Sequence, residues 1–370
     1  MAVLAAALSF WGCSNPPSAA PTAPSPSAGP VRSGMRPSVP VPPAPSPDRL
    51  PGLPPLPATA TQRIGGIDYT DARVFFARYG LKATELQSGH RLRVQDGANV
   101  IELDADQHDA LVNGLIVFLG EPVVMRGSAL FISKIDAEHL FAPLVQPGRF
   151  AAFTPPVHTI VLDAGHGGID PGAQNAALNV NEKTCALDVV LRLRTLLEAR
   201  GFKVVLTRTS DHELSTDKPT DLSMRAELAG RVGADLFISV HFNAAPPAVH
   251  GTETFIMTPQ SQASTQAEKD KAMIPTAYPG NRVDPLNAVL GYAIHRRLTS
   301  ELGSMDRGLK HARFEVLRLE NCPSVLIESG YISSDTEGRK IATPAYRQKI
   351  AEGIASGVAA YLAQLAGTRK

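Results

Sequence analysis

Cysteine is scarce in this chain of 370 residues: only Cys13, Cys185 and Cys322 occur. No two of them form a CxxC pair, so neither a disulfide framework nor a cysteine-rich zinc knuckle is indicated. An excess of one charge is lacking too. Lys and Arg number 36 against 35 Asp and Glu, a formal +1. Without a basic run there is no electrostatic footprint for nucleic acid. The apolar run that opens the chain is too short to span a bilayer as a helix. No HExxH occurs, which removes one large class of zinc peptidases. With a hydrophobic content of 44%, a chain of this length can bury a full core and has room for more than one domain.

The 31 prolines are unevenly placed, and their clustering predicts the organisation. Residues 1–13 are apolar and close on Gly12-Cys13, which resembles the end of a bacterial lipoprotein signal with Cys13 as the lipidated residue. Phe10 stands where Leu is usual and no Lys or Arg precedes the run, so an ordinary short secretory signal is the alternative. Residues 14–61 are almost wholly Pro, Ser, Ala and other small residues. Such a segment has too little apolar content to fold and reads as a disordered, extended tether. Pro147, Pro155 and Pro156 mark a second linker over 147–157.

Between the linkers, residues 65–146 read as a small α/β accessory module. Its signals are a Gly-closed amphipathic helix over 71–80, strands over 91–94 and 99–103, an Asn113-Gly114 turn and a second helix over 136–141. The pattern resembles the copper-amine-oxidase-like N-terminal module. His90, His108 and His139 are scattered there and read as solvated surface residues.

From 158 to 366 strand-like runs (160–162, 204–206, 236–240, 254–257, 325–327) alternate with helical stretches (183–199, 222–232, 286–302). This predicts an α/β domain, a mostly parallel twisted sheet with helices on both faces. A last helix carries Tyr346, Ile350, Ile354, Val358, Tyr361 and Leu365 on one stripe.

Ligands of such sheets gather at the carboxyl ends of strands. His166 lies just past the first strand among glycines, a setting for close approach of a ligand. His241 ends the 236–240 strand, Glu328 follows Val325-Leu326-Ile327, and Glu182 opens the helix after the first strand. Topology brings all four to one rim. Each has a plainer reading alone: Glu182 as a partner of the helix dipole, His241 as a hydrogen-bonded core histidine. Glu328 is harder to explain away, because a buried acid without a partner is costly. A phosphate loop fits poorly, since the third glycine of GxGxxG is missing and Asp163, Asp170 and Pro171 intrude. Two histidines and one carboxylate match a zinc site with one position open. Cys185, one helical turn beyond Glu182, is a rival ligand or, more simply, a small buried apolar residue.

These residues sit in a string of motifs: Asp163-Ala164-Gly165-His166-Gly167-Gly168-Ile169-Asp170-Pro171-Gly172-Ala173, Asn181-Glu182-Lys183, Leu222-Ser223-Met224-Arg225, Ser239-Val240-His241-Phe242-Asn243-Ala244 and Ile327-Glu328-Ser329-Gly330-Tyr331. In this order they resemble the zinc-dependent N-acetylmuramoyl-L-alanine amidase family, amidase-3 type. Ala164 replaces the frequent proline, and Ala229-Gly230 stands where Ala-Asn is common. The resemblance implies a single Zn2+ on His166, Glu182 and His241, with Glu328 as the catalytic acid. It implies hydrolysis of peptidoglycan between N-acetylmuramic acid and L-alanine; the lipoprotein-like start and the tether agree with that, and with a place in the periplasm or cell envelope and a lipid anchor at Cys13. Asn243 and Arg225 are expected to orient loops or bind substrate. The longer segment over 258–285 is expected to form a flap over the zinc, relieved by an activator protein. A non-catalytic wall-binding protein on the same fold and a zinc peptidase of the stem peptide are the rival readings.

Overall fold

The structure, a computed structural model, describes residues 57–153, 156–265 and 273–367. Cys13 and nearly all of the expected tether lie outside the described residues. The last positions assigned to the tether already belong to the folded body, where Ala60 is buried.

In chain order the N-terminal part contains β1 (Thr61–Ile64), β2 (Ile67–Asp71) and α1 (Ala72–Ala77). The meander β3 (Lys82–Leu86), β4 (Arg91–Gln95), β5 (Val100–Asp104), β6 (Asp109–Val112) and β7 (Leu115–Phe118) follows. It closes with β8 (Val124–Arg126), β9 (Ala129–Ser133) and a helical stretch, α2 (Lys134–Asp136) and α3 (Ala142–Val145), joined by a π-turn at Ala137–Phe141. Asp71 caps α1 by accepting the Val74 N–H at 3.1 Å, and Ala72, Phe75 and Phe76 form its buried face. The Asn113-Gly114 signal is a hairpin turn between β6 and β7, with φ of 51° and 82°. Both residues adopt the left-handed conformation that a two-residue type I′ connection needs.

The C-terminal part runs β10 (Thr159–Ala164), the short pair β11 (Gln174–Asn175) and β12 (Val180–Asn181), α4 (Glu182–Glu198) and β13 (Lys203–Leu206). Then come α5 (Lys218–Val232), β14 (Leu236–Asn243), β15 (Thr252–Met257), α6 (Asp284–Leu302) and β16 (Asp306–Ala312). It ends with α7 (Glu315–Arg318), β17 (Ser324–Tyr331), α8 (Glu337–Ile341) and α9 (Pro344–Ala366). Ile350, Ile354, Val358 and Tyr361 of α9 are fully buried, the stripe that spacing predicts.

One expectation holds with a single exception and another is corrected. First, the sheet of the C-terminal part is mostly parallel: β13, β10, β14 and β17 are parallel and β15 is parallel to β16, with β15 antiparallel to β17 as the one reversal. The connection from β14 to β15 contains no helix, so the chain turns back instead of crossing over. Second, the accessory strands are not a separate module on a free linker. β16 meets β7 at Leu309 and Val117, giving one sheet of eleven strands in the order β13-β10-β14-β17-β15-β16-β7-β6-β5-β4-β3. Residues Pro147–Phe153, expected as linker, form a 3-10 segment packed on α9, with Phe150 wholly buried.

The reversal of β15 also decides where 258–285 goes. Because β15 opposes β17, Met257 lies at the end of the sheet away from the His241 rim. The described residues of the segment are pinned at that far end. Thr265 N–H donates to the His311 carbonyl at 3.0 Å, and the buried Gln262 amide donates to Asp136 at 2.5 Å. They form no flap over the rim; residues 266–272 lie outside the described residues.

Candidate metal centre

The chain turns immediately after β10. His166 has a φ of 61°, left-handed for a residue with a side chain, and Gly172 has 64°. Such strain needs surrounding structure to hold it. A Cβ on Gly165 would come 2.3 Å from His241 Cε1, and one on Gly172 would come 2.5 Å from Glu182 Oε2. Glycine is required at both places because the site's own side chains fill the space.

His166, Glu182 and His241 each offer a ligand atom, and these atoms lie within 4.8 Å of one another. Glu182, in the first turn of α4, is the hub. Its Oε1 is 2.9 Å from His241 Nδ1 and accepts the Phe242 N–H at 3.0 Å. Its Oε2 accepts the Ala173 N–H at 2.7 Å and lies 3.1 Å from His166 Nε2. The other ring nitrogen of His166 is 2.9 Å from Asp170 Oδ2, and Lys218 also reaches that carboxylate. Asp170 thus turns Nε2 into the cluster, as carboxylates behind metal-binding histidines do. Two imidazoles, one carboxylate and an outer carboxylate converging this closely form a donor set that fits a zinc ion.

Electrostatics follow from the geometry. Burial opposes charge on His166, yet its bonds to Asp170 and Glu182 outweigh it and raise the ring's pKa to about 9. Glu182 is held far below the usual carboxylate range despite burial, because His166 and His241 both face it. Glu328 stands opposite His241 in the β14–β17 register. It lies within β17, not past its end as the pattern Val325-Leu326-Ile327 suggests. Its Oε2 is buried with no hydrogen-bond partner. Burial, and then the charges of Glu182 and Glu253, push its carboxyl well above the ordinary range.

Arg225 has a different place from a substrate-binding residue. It is 2% exposed, and its guanidinium is occupied by Asp221, Asp163 and the carbonyls of Ala164 and His166. It braces the His166 loop from below, and a substrate has no donor left to meet. The buried Arg208 does the same, donating to the carbonyls of Ala164 and Gly165 at 2.9 Å. Asn243 is half-buried at the end of β14, its Nδ2 3.3 Å from Glu253. Cys185 is buried in the core face of α4, outside the His166, Glu182 and His241 cluster, and burial pushes its thiol up to about 11. Of the scattered histidines, His90 and His108 are exposed, while His139 is half-buried, 3.7 Å from Asp284. Sequence reasoning missed the roles of Asp170 and Glu253. Asp170 was open to discovery, standing one turn's length after His166 in the same motif.

Residues 160–360 match the family model described as N-acetylmuramoyl-L-alanine amidase, of the amidase-3 type. Over 204 residues the chain is 32% identical to an uncharacterised cell wall amidase of Bacillus anthracis, covering 55% of this chain and 35% of that protein. Over 226 residues it is 30% identical to the N-acetylmuramoyl-L-alanine amidase AmiA of Escherichia coli strain K12, covering 55% of this chain and 75% of that one. Among solved structures, the catalytic domain of the amidase CwlV from Paenibacillus polymyxa aligns at 28% identity over 56% of this chain and 98% of that domain, with a TM-score of 0.45. The match thus spans only about a third of the Bacillus anthracis protein's length.

Proposed function

The chain belongs to the N-acetylmuramoyl-L-alanine amidase family, and on that premise we propose that it hydrolyses the amide between N-acetylmuramic acid and L-alanine in peptidoglycan. One observation carries the reading: three metal-ligand atoms within 4.8 Å of one another, beside a buried carboxyl oxygen that has no partner. His166, Glu182 and His241 would hold the ion, which we take to be zinc. Bound there, zinc supplies a Lewis acid that polarises a carbonyl and acidifies water.

The chain's own residues supply the rest. Asp170 fixes the ring of His166, and Arg225 and Arg208 fix the loop that carries it. Glu328 takes the proton from the attacking water and passes it to the nitrogen of the leaving L-alanine. A carboxylate suits this work when its pKa is raised toward the operating pH, the direction that burial and its acidic neighbours impose on Glu328. We assign Asn243, on the rim beside Glu253, a substrate-facing role. The polymer lies outside the cytoplasmic membrane, so we assign the protein to the periplasm or cell envelope.

Digestion of purified sacculi with the zinc-loaded protein, followed by mass spectrometry of the new ends, tests the proposal. Free peptides beginning with L-alanine are expected. Cuts within the stem would make it a peptidase instead, and no release of products would leave a wall-binding protein.

A further inference from the structure

The eleven-stranded sheet is unevenly covered. On one face Val94, Ile101, Leu103, Val112 and Val117 are buried in the main core. On the other, Phe118, Asp109, Asp104 and Arg91 are only half-buried and stand opposite one another in the register.

This second face is continuous with the candidate active site. Glu328 pairs with Glu253 across β17 and β15. The Glu253 carboxylate is 3.0 Å from Lys310 Nζ and accepts from Arg307 Nε at 2.9 Å. Lys310 Nζ in turn lies 5.2 Å from the centre of the Phe118 ring, so the row crosses the seam into the N-terminal strands. A Cβ on Gly308 would stand 2.6 Å from Phe118 Cε2, which shows how closely that ring lies over β16. Beyond Phe118 the face hollows into a groove of ≈ 420 Å³ lined by Arg91, Glu102, Asp104, Asp109 and Leu111.

Arg307 and Lys310 both contact the carboxylate of Glu253, and Glu328 beside it is the other acid that Lys310 faces. Their side chains stay accessible, Arg307 at 31% and Lys310 at 16%. The glycan of the wall polymer is built of neutral sugars, whereas its stem peptide carries free carboxylates. Charge complementarity and continuity with Glu328 therefore select the peptide.

We propose that the acidic stem peptide lies across this face from Glu328 to Phe118, with its carboxylates on Lys310 and Arg307 and its aliphatic groups on Phe118. Residues 57–146 then complete the substrate site through β7. The inference rests on the amidase reading and names which half of that substrate the sheet grips. Neighbouring strands are about 4.8 Å apart, so three steps from β17 to β7 span roughly 14 Å. An extended peptide of four residues reaches about as far.

The test compares kcat/KM for a soluble muramoyl tetrapeptide with that for muramoyl-L-alanine, using the full zinc-loaded chain. The native protein should favour the tetrapeptide at least tenfold, chiefly through KM. Lys310→Met and Phe118→Ala should each cut that preference fivefold or more, while Lys310→Arg keeps it. Two further arms use the unsubstituted chain: the preference should shrink with added salt, because ion contacts are screened, and vanish when the peptide carboxylates are amidated. A preference untouched by Lys310→Met, salt and amidation overturns the inference alone, as does one that follows glycan length instead of peptide length. If neither substrate is cleaved at the muramoyl amide, the amidase reading falls, and this inference with it.

Discussion

Replacing Glu328 with glutamine keeps the shape of the side chain and removes its ability to accept and return a proton. The carboxyl has no hydrogen-bond partner at Oε2 and is pressed toward its neutral form by burial, Glu182 and Glu253. On the mechanism proposed above, the work assigned to this side chain is proton transfer. General acid–base groups contribute about 10²–10⁴-fold, so kcat in Glu328→Gln should fall by that factor, a barrier about 3–5 kcal/mol higher at 1.36 kcal/mol per tenfold. Metal content should not change, because Glu328 is outside the His166, Glu182 and His241 cluster. Nor should stability fall, since the amide removes a charge that its neighbours repel. The assay is release of L-alanine-terminated peptides from sacculi, run beside metal analysis and a thermal melt. A rate within tenfold of the native protein, at full metal content, would falsify the assignment of Glu328 as the base. A melting temperature lowered by more than about 5 °C would show a structural role instead.

Gly172→Ala should weaken metal binding at least tenfold by chelator competition, because its Cβ would fall 2.5 Å from Glu182 Oε2 at a φ of 64°; native affinity in that variant would contradict the packing argument. Arg225→Met should cost about 3–5 kcal/mol in urea denaturation, the typical loss when a buried pair is broken from one side. Arg225 and Asp163 are 2% and 1% exposed, and a loss below about 1 kcal/mol would mean the ion pair does not hold the loop. Asp163 supplies a pH signature. Burial opposes its ionisation, but Arg225, His241 and the hydroxyls of Ser239 and Thr207 hold its pKa down to about 2, from 3.8. Its contribution, roughly 2–3 kcal/mol at 1.36 kcal/mol per unit, is complete above the ordinary carboxylate pKa and disappears as pH falls through about 2. Asp163→Asn should lack that step between pH 5 and 2, and identical profiles for the two proteins would refute it.

Much of the site was legible because its signals are local. Glycines beside His166, an acid at the start of α4, and polar residues closing apolar strands are each visible within a few positions. The stripe on α9 and the strand β10 are of the same kind, since periodicity states which face is buried. Other features carry no local signal. β16 reads Asp-Arg-Gly-Leu-Lys-His-Ala, too polar to stand out as a strand, yet it joins the two halves of the sheet. The reversal of β15, which carries 258–265 to the far end of the sheet, depends on which neighbours the strand finds. For Arg225 the sequence left open whether it orients loops or binds substrate, and only its buried surroundings show it bracing the His166 loop.

By itself, then, the order of residues determined the candidate metal ligands His166, Glu182 and His241 and most of the helices and strands around them, because burial patterns and glycine placement act over short stretches of chain. Tertiary structure alone decided that the N-terminal strands extend the sheet bearing Glu328. Pairing Leu309 with Val117 depends on register between segments far apart in the chain, and no local pattern encodes that choice.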